Sequence, residues 1–146
     1  MSAQVKVTSG FAASGDGRIY FQAAGSGPAI VFVHAGVSDR RMWDPQFEAF
    51  ANDNQVIRFD LRGCGKSSKA QGSFSNRDDL AAVLAATGVE KAVLVRCSMG
   101  GATAIDFTLV HPAAVRRLVP VGAGVSGSTD RCDHCCGIKR RYFTHS

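Results

Sequence analysis

The stretch Ala92-Val93-Leu94-Val95-Arg96-Cys97-Ser98-Met99-Gly100-Gly101-Ala102-Thr103-Ala104 restricts the chain more than any other. Four apolar residues, two of them β-branched, predict a buried strand, and small residues then open a helix that runs to Val110 before Pro112 stops it. Ser98 stands at the junction, with Gly100 two positions on. A strand that turns sharply into a helix needs small neighbours at the turn and pushes the serine hydroxyl away from the sheet. The amide of Met99 then faces the same space at a helix N-terminus, where the dipole favours negative charge. One member breaks the Gly-x-Ser-x-Gly pattern: Arg96 occupies the first glycine position. An arginine there predicts either strain in the turn or a buried, unpaired charge.

The 146 residues suffice for one domain. No apolar run approaches the ~20 residues of a membrane span, so no membrane is expected as a partner. The first residues, Met1-Ser2-Ala3-Gln4-Val5-Lys6-Val7, show no charged start followed by an apolar run, which makes the cytoplasm the expected location. The formal charge of +5 splits unevenly: in residues 128–146 Arg131, Lys139, Arg140 and Arg141 stand against Asp130 and Asp133, which leaves +3 for the much longer remainder. No basic stripe with interleaved aromatics runs through the body, so nucleic acid is not expected. Of five cysteines, three crowd into Cys132–Cys136, and all are read as reduced thiols.

Taken in order, Gln4–Thr8 and Arg18–Gln22 around Gly15-Asp16-Gly17 predict an N-terminal hairpin. Ala29–Val33 is fully apolar, as in a strand covered on both faces. A short helix over Met42–Ala51, a strand over Gln55–Phe59 and a helix from Asn76 to Thr87 with Gly88 as its stop come next. After the Ser98 unit, Val115–Val121 is one more strand. Strands alternating with helices over short loops predict an α/β fold, a mostly parallel sheet with helices on both faces. Composition changes after Gly127, which divides the chain into residues 1–127 and a Cys-rich basic tail, 128–146, expected to be unstructured.

His34-Ala35-Gly36 after the third strand, Asp60-x-Arg62-Gly63-x-Gly65-x-Ser67 after the fourth and Ser98-Met99-Gly100-Gly101 after the fifth share an order and spacing as well as letters. On these motifs residues 3–127 resemble the N-terminal half of an α/β-hydrolase, an incomplete version of that fold lacking its last strands and cap. Met42-Trp43-Asp44-Pro45-Gln46 resembles the small-esterase and 3-oxoadipate enol-lactonase-like branch. The resemblance implies that Ser98 is a nucleophile, that backbone amides of Gly36 and Met99 form an oxyanion hole, and that His34 shapes its loop and is not the base. It implies a cofactor-free serine hydrolase acting on a small ester or lactone. In the family the acid and base follow the seventh and eighth strands. Asp106, His111, Asp130, Asp133, His134 and His145 follow no such strand and are not assigned to those roles.

The chain as written is therefore expected to turn over little or no substrate. It is also expected to expose apolar surface and a bare sheet edge beside Val115–Val121. The tail reads as translation out of frame, with a non-catalytic fragment or a binding module as the alternative product. Cys132-Asp133-His134-Cys135-Cys136 has half the spacing of a zinc site, and no metal site is assigned on one such pair. Gly63-Cys64-Gly65-Lys66-Ser67 imitates a phosphate-binding loop. Asp60 stands where that loop needs a glycine, and no helical pattern follows Ser67. Asp60, Arg62, Gly63 and Gly65 are instead read as scaffold, a glycine-rich turn anchored by a buried charge pair.

Overall fold

The computed structural model describes residues 5–98 and 100–122. Its frame is a six-stranded sheet. The strands are β1 (Val7–Ser14), β2 (Gly17–Ala24), β3 (Ala29–Val33), β4 (Gln55–Phe59), β5 (Ala92–Cys97) and β6 (Val115–Val121), in the spatial order β1-β2-β4-β3-β5-β6. β1 and β2 form the expected hairpin, and β2 joins β4 antiparallel, while β4, β3, β5 and β6 run parallel. The hairpin differs from the sequence expectation in extent. Its first strand is Val7–Ser14 rather than Gln4–Thr8, and of the latter stretch residue 4 lies outside the described residues. The tight Gly15-Asp16 turn, with Gly15 at φ 56°, places Ser14 opposite Gly17, so the ladder zips outward through residues of low strand propensity.

The helix expected over Met42–Ala51 is divided into a 3-10 turn, Arg40–Trp43, and α1, Asp44–Phe50. Pro45 lies in the first turn of α1, where its missing N–H costs no helical hydrogen bond. α2 (Asn76–Ala86) starts at Ser75, whose hydroxyl accepts from the Asp78 amide at 3.3 Å. α3 covers Gly100–Val110.

β3 explains why both faces of the sheet are covered. Val31 and Val33 join Ile57, Phe59 and Leu94 in a core closed by Leu80, Val83 and Leu84 of α2 and by Ala104 and Phe107 of α3. Phe32 points the other way, into a smaller core with Trp43 and with Phe47 of α1. The far edge is bare, as expected: among the described residues β6 has β5 as its one sheet neighbour. Val119 and Val121 are exposed, as is Leu109 of α3, at 76%. Pro120 is tolerated there because an edge strand needs no ladder bond on its outer side.

One buried ionic network ties the hairpin to α2. Arg62 grips Asp79 with two bonds, Nε–Oδ2 at 3.0 Å and Nη2–Oδ1 at 2.7 Å, and also donates to the Ser14 carbonyl at 2.7 Å and to Asp16 at 2.9 Å. The Arg62 and Asp79 side chains are both almost wholly withdrawn from solvent. Removing one partner of such a pair strands the other charge, at a cost of about 3–5 kcal/mol. Arg62→Leu is expected to lower stability by about that amount in urea denaturation, and a loss under about 1 kcal/mol would assign the anchoring elsewhere.

Candidate active site

Ser98 follows β5 directly and precedes α3 by one residue. Its φ is 48°, and among the described residues it alone of the non-glycines has a positive φ. The left-handed region costs a residue with a Cβ about 1–2 kcal/mol, and such strain gathers at functional sites. The Ser98 amide donates to the Val121 carbonyl at 3.3 Å, which ties the turn to the end of β6, and the residue is solvent-exposed. Met99, the expected second oxyanion donor, lies outside the described residues, as does the tail from 123 onward.

Gly36 sits in the loop after β3, at the same end of the parallel strands as Ser98. The Ser38 amide donates to the Ala35 carbonyl at 3.1 Å, closing a turn around Gly36 and Val37. The Ala35 amide is directed to Met42 Sδ at 3.3 Å. Among the described residues the Gly36 N–H has no hydrogen-bond partner, so it is available to an anionic oxygen.

His34 is fully buried. The Leu61 amide donates to its Nε2 at 2.9 Å, and its Nδ1 lies 2.6 Å from the Ala35 carbonyl. The amide only donates and the carbonyl only accepts, which assigns the proton to Nδ1. Desolvation lowers the pKa of this imidazole below its ordinary value and outweighs the Ala35 carbonyl and the nearby carboxylates of Asp60 and Asp39, which act the other way. With both nitrogens engaged it shapes the loop and is not placed to serve as a base.

Asp60 organises the loop after β4. Its buried carboxylate accepts from the Arg40 amide (2.9 Å), the Arg40 guanidinium (2.8 Å) and the Lys66 amide (2.9 Å). Gly65 must be a glycine, because a Cβ there would lie about 2.2 Å from the Asp60 carboxylate and its φ is 48°. Ser67 Oγ donates to the Asp60 carbonyl at 2.6 Å and accepts from the Tyr20 amide at 2.9 Å. The hydroxyl of the phosphate-loop look-alike is thus spent on pinning the loop to β2. The scaffold reading needs one refinement: the loop's two charges each pair with a distant residue, Asp60 with Arg40 and Arg62 with Asp79. Sequence reasoning missed Arg40 and Asp79, since separations of 20 and 17 residues leave no local signal.

Arg96 carries the predicted conflict. In β5 it pairs with Val33 on one side and Pro120 on the other, and its Nε is buried without a hydrogen-bond partner among the described residues. Cys97, the next residue along the strand, packs against the Trp43 cluster. His111 follows the C-terminus of α3 and lays its ring on Phe107, 4.8 Å between centroids. An eleven-residue helix is about 16 Å long, which separates His111 from Ser98. Asp106 is exposed midway along α3.

A family model described as alpha/beta hydrolase fold matches residues 28–134. The chain is 34% identical over 127 residues to a protein of Azorhizobium caulinodans named as carbamate hydrolase RutD, covering 84% of this chain and 48% of that protein. It is 37% identical over 119 residues to a 2-hydroxy-6-oxononadienedioate/2-hydroxy-6-oxononatrienedioate hydrolase of Burkholderia vietnamiensis, covering 75% and 41%. Among solved structures, Est816, described as an N-acyl homoserine lactone degrading enzyme, superimposes with a TM-score of 0.76 at 35% identity over 79% of this chain and 46% of that one. The chain thus spans about half the length of the curated relatives it matches.

Arg96 Nε, unpartnered among the described residues, gives this site a measurable signature. Burying an unsatisfied donor costs about 1–3 kcal/mol, so Arg96→Ala is expected to raise the unfolding free energy by up to that amount and to raise the thermal midpoint. A fall in the midpoint would show that the guanidinium contributes packing or pairing that outweighs its burial.

Proposed function

This chain belongs to the α/β-hydrolase fold family, and from that premise we propose that it carries the nucleophile and oxyanion half of a serine hydrolase for small esters or lactones. The observation that carries this reading is the left-handed φ of Ser98 between β5 and α3. In the proposed reaction Ser98 Oγ attacks the substrate carbonyl carbon. The amides of Gly36 and Met99 hold the oxygen that becomes negative, each such donor being worth about 3–4 kcal/mol. Collapse of the tetrahedral species breaks the single bond from the carbonyl carbon to the ester oxygen, which takes up the proton given up by Ser98 Oγ, through water, and leaves as an alcohol or opens a lactone ring. Water then cleaves the acyl-serine ester. No cofactor enters these steps, and a cytoplasmic setting goes with the reading. Residues 1–127 carry the hydrolase portion in this proposal and 128–146 stand apart as the basic, Cys-rich tail.

Proton transfer sets the expected rate. Among the described residues, His34 has both nitrogens committed and His111 sits beyond the far end of α3, so neither supplies a base to Ser98. A positioned general base is worth about 10²–10⁴-fold, and steady-state turnover of this chain is proposed to be lower than that of a complete triad by at least that factor. Acylation by an activated ester demands less of the base than does hydrolysis of the acyl-serine. Incubation with p-nitrophenyl acetate is therefore expected to give an acetyl group on Ser98, located by peptide mass spectrometry, with slow subsequent turnover. The adduct is expected to be lost in Ser98→Ala. Acetylation confined to lysines or cysteines, or equal nitrophenol release from Ser98→Ala, would overturn the assignment.

A further inference from the structure

We propose that the hydrogen-bonded clasp His34 makes between the loop carrying Gly36 and the loop after β4 is an acid-sensitive switch, opened when a proton on Nε2 opposes the Leu61 N–H. The inference rests on the hydrogen bonds of His34 and stands whether or not Ser98 is a nucleophile.

The clasp joins two loops that no strand ladder connects. On one side Nε2 accepts from the Leu61 amide, next to the Asp60 carboxylate that organises the loop after β4. On the other side Nδ1–H donates to the Ala35 carbonyl. That same carbonyl accepts from Ser38 and so closes the turn that contains Gly36. The turn is in turn linked to Met42 through the Ala35 amide. Moving the ring therefore moves the acceptor on which the Gly36 turn is folded.

Protonation inverts one of the two bonds. Nε2 would acquire a hydrogen that points at the Leu61 N–H, placing two donors face to face across 2.9 Å. No solvent reaches the ring to take up either one. The charged groups that face the ring are carboxylates: Asp60 from the loop after β4 and Asp39 from the ring's own loop. Both are already satisfied by cations, Asp60 by Arg40 and Asp39 by Arg41. Cys64, on the same loop as Asp60, is neutral, its thiol pKa raised by burial. Burial consequently prevails and the folded imidazole stays neutral. An unfolded chain takes up this proton as pH falls through about 6.5, while the folded chain resists until a lower pH. The clasp's contribution is complete above that value and declines as pH falls from it toward the lowered folded pKa.

Trp43, the single tryptophan, ends the 3-10 turn that begins after this loop and adjoins Met42, so it reports on the loop's position. Its emission and the far-ultraviolet circular dichroism would be followed from pH 8 to pH 5 in the full chain and in His34→Gln. The glutamine carbonyl can accept from Leu61 and does not titrate. The expected result is a reversible shift in Trp43 emission below pH 6.5, with dichroism unchanged, in the wild type and its loss in His34→Gln. A transition with the same midpoint in both proteins, or none in the wild type, overturns the proposal. Should His34→Gln fail to fold, nitrogen-15 shifts of the wild-type imidazole decide it. A neutral ring protonated at Nδ1 that titrates below 6.5 supports the clasp, and a ring protonated at Nε2, or one titrating at or above 6.5, overturns it.

Discussion

Val33 lies in parallel register with Phe59 of β4 on one side and Arg96 of β5 on the other. That alignment brings three loops out at one end of the sheet: the loop with His34 and Gly36, the loop with Asp60, and the turn at Ser98. Nothing in these loops is close in sequence, and each begins within a residue or two of the same row across the sheet. The register is held because β3 is apolar on both faces. A slip of one residue would exchange Val31 and Val33 with Phe32 between two differently shaped cores.

The buried polar groups of the loop after β4 are satisfied by one another and by their neighbours. Asp60 collects a guanidinium and two backbone amides, and Ser67 takes one bond from β2 and returns one to the Asp60 carbonyl. Tyr20 lies beneath two cations, with Arg40 4.7 Å and Lys66 4.9 Å from its ring centre. His34 then joins this loop to the one after β3. The Gly36 amide is thus positioned by a chain of contacts that ends in the core rather than by its own turn alone.

Arg96 works against that order. Its neighbours on both sides are strands, and Ser98 two residues on already carries a strained φ. A guanidinium whose buried Nε has no partner among the described residues adds a second cost to the same short segment. The chain sustains both because β5 is flanked by β3 and β6 and lies under α3 and the core below it. The bare outer side of β6, with Val119, Val121 and Leu109 exposed, leaves this end of the sheet with support from one direction among the described residues.

The strands over Ala29–Val33, Gln55–Phe59 and Val115–Val121, the serine turn and the glycine-rich loop were legible in the sequence, because each rests on local periodicity or on a backbone conformation that few residues adopt. The hairpin's length was less so. Its ladder is extended by pairing, and Gly10, Ala12 and Ala13 carry little propensity of their own. Within the candidate site, the sequence by itself placed Ser98 at the junction of strand and helix and Gly36 in the loop after β3, and it marked Asp60 as scaffold. The tertiary structure decided which partner neutralises each buried charge, the tautomer of His34 and the isolation of Arg96 Nε. Those depend on which loops meet across the sheet, and contacts between residues 17 to 50 positions apart leave no trace in a local pattern.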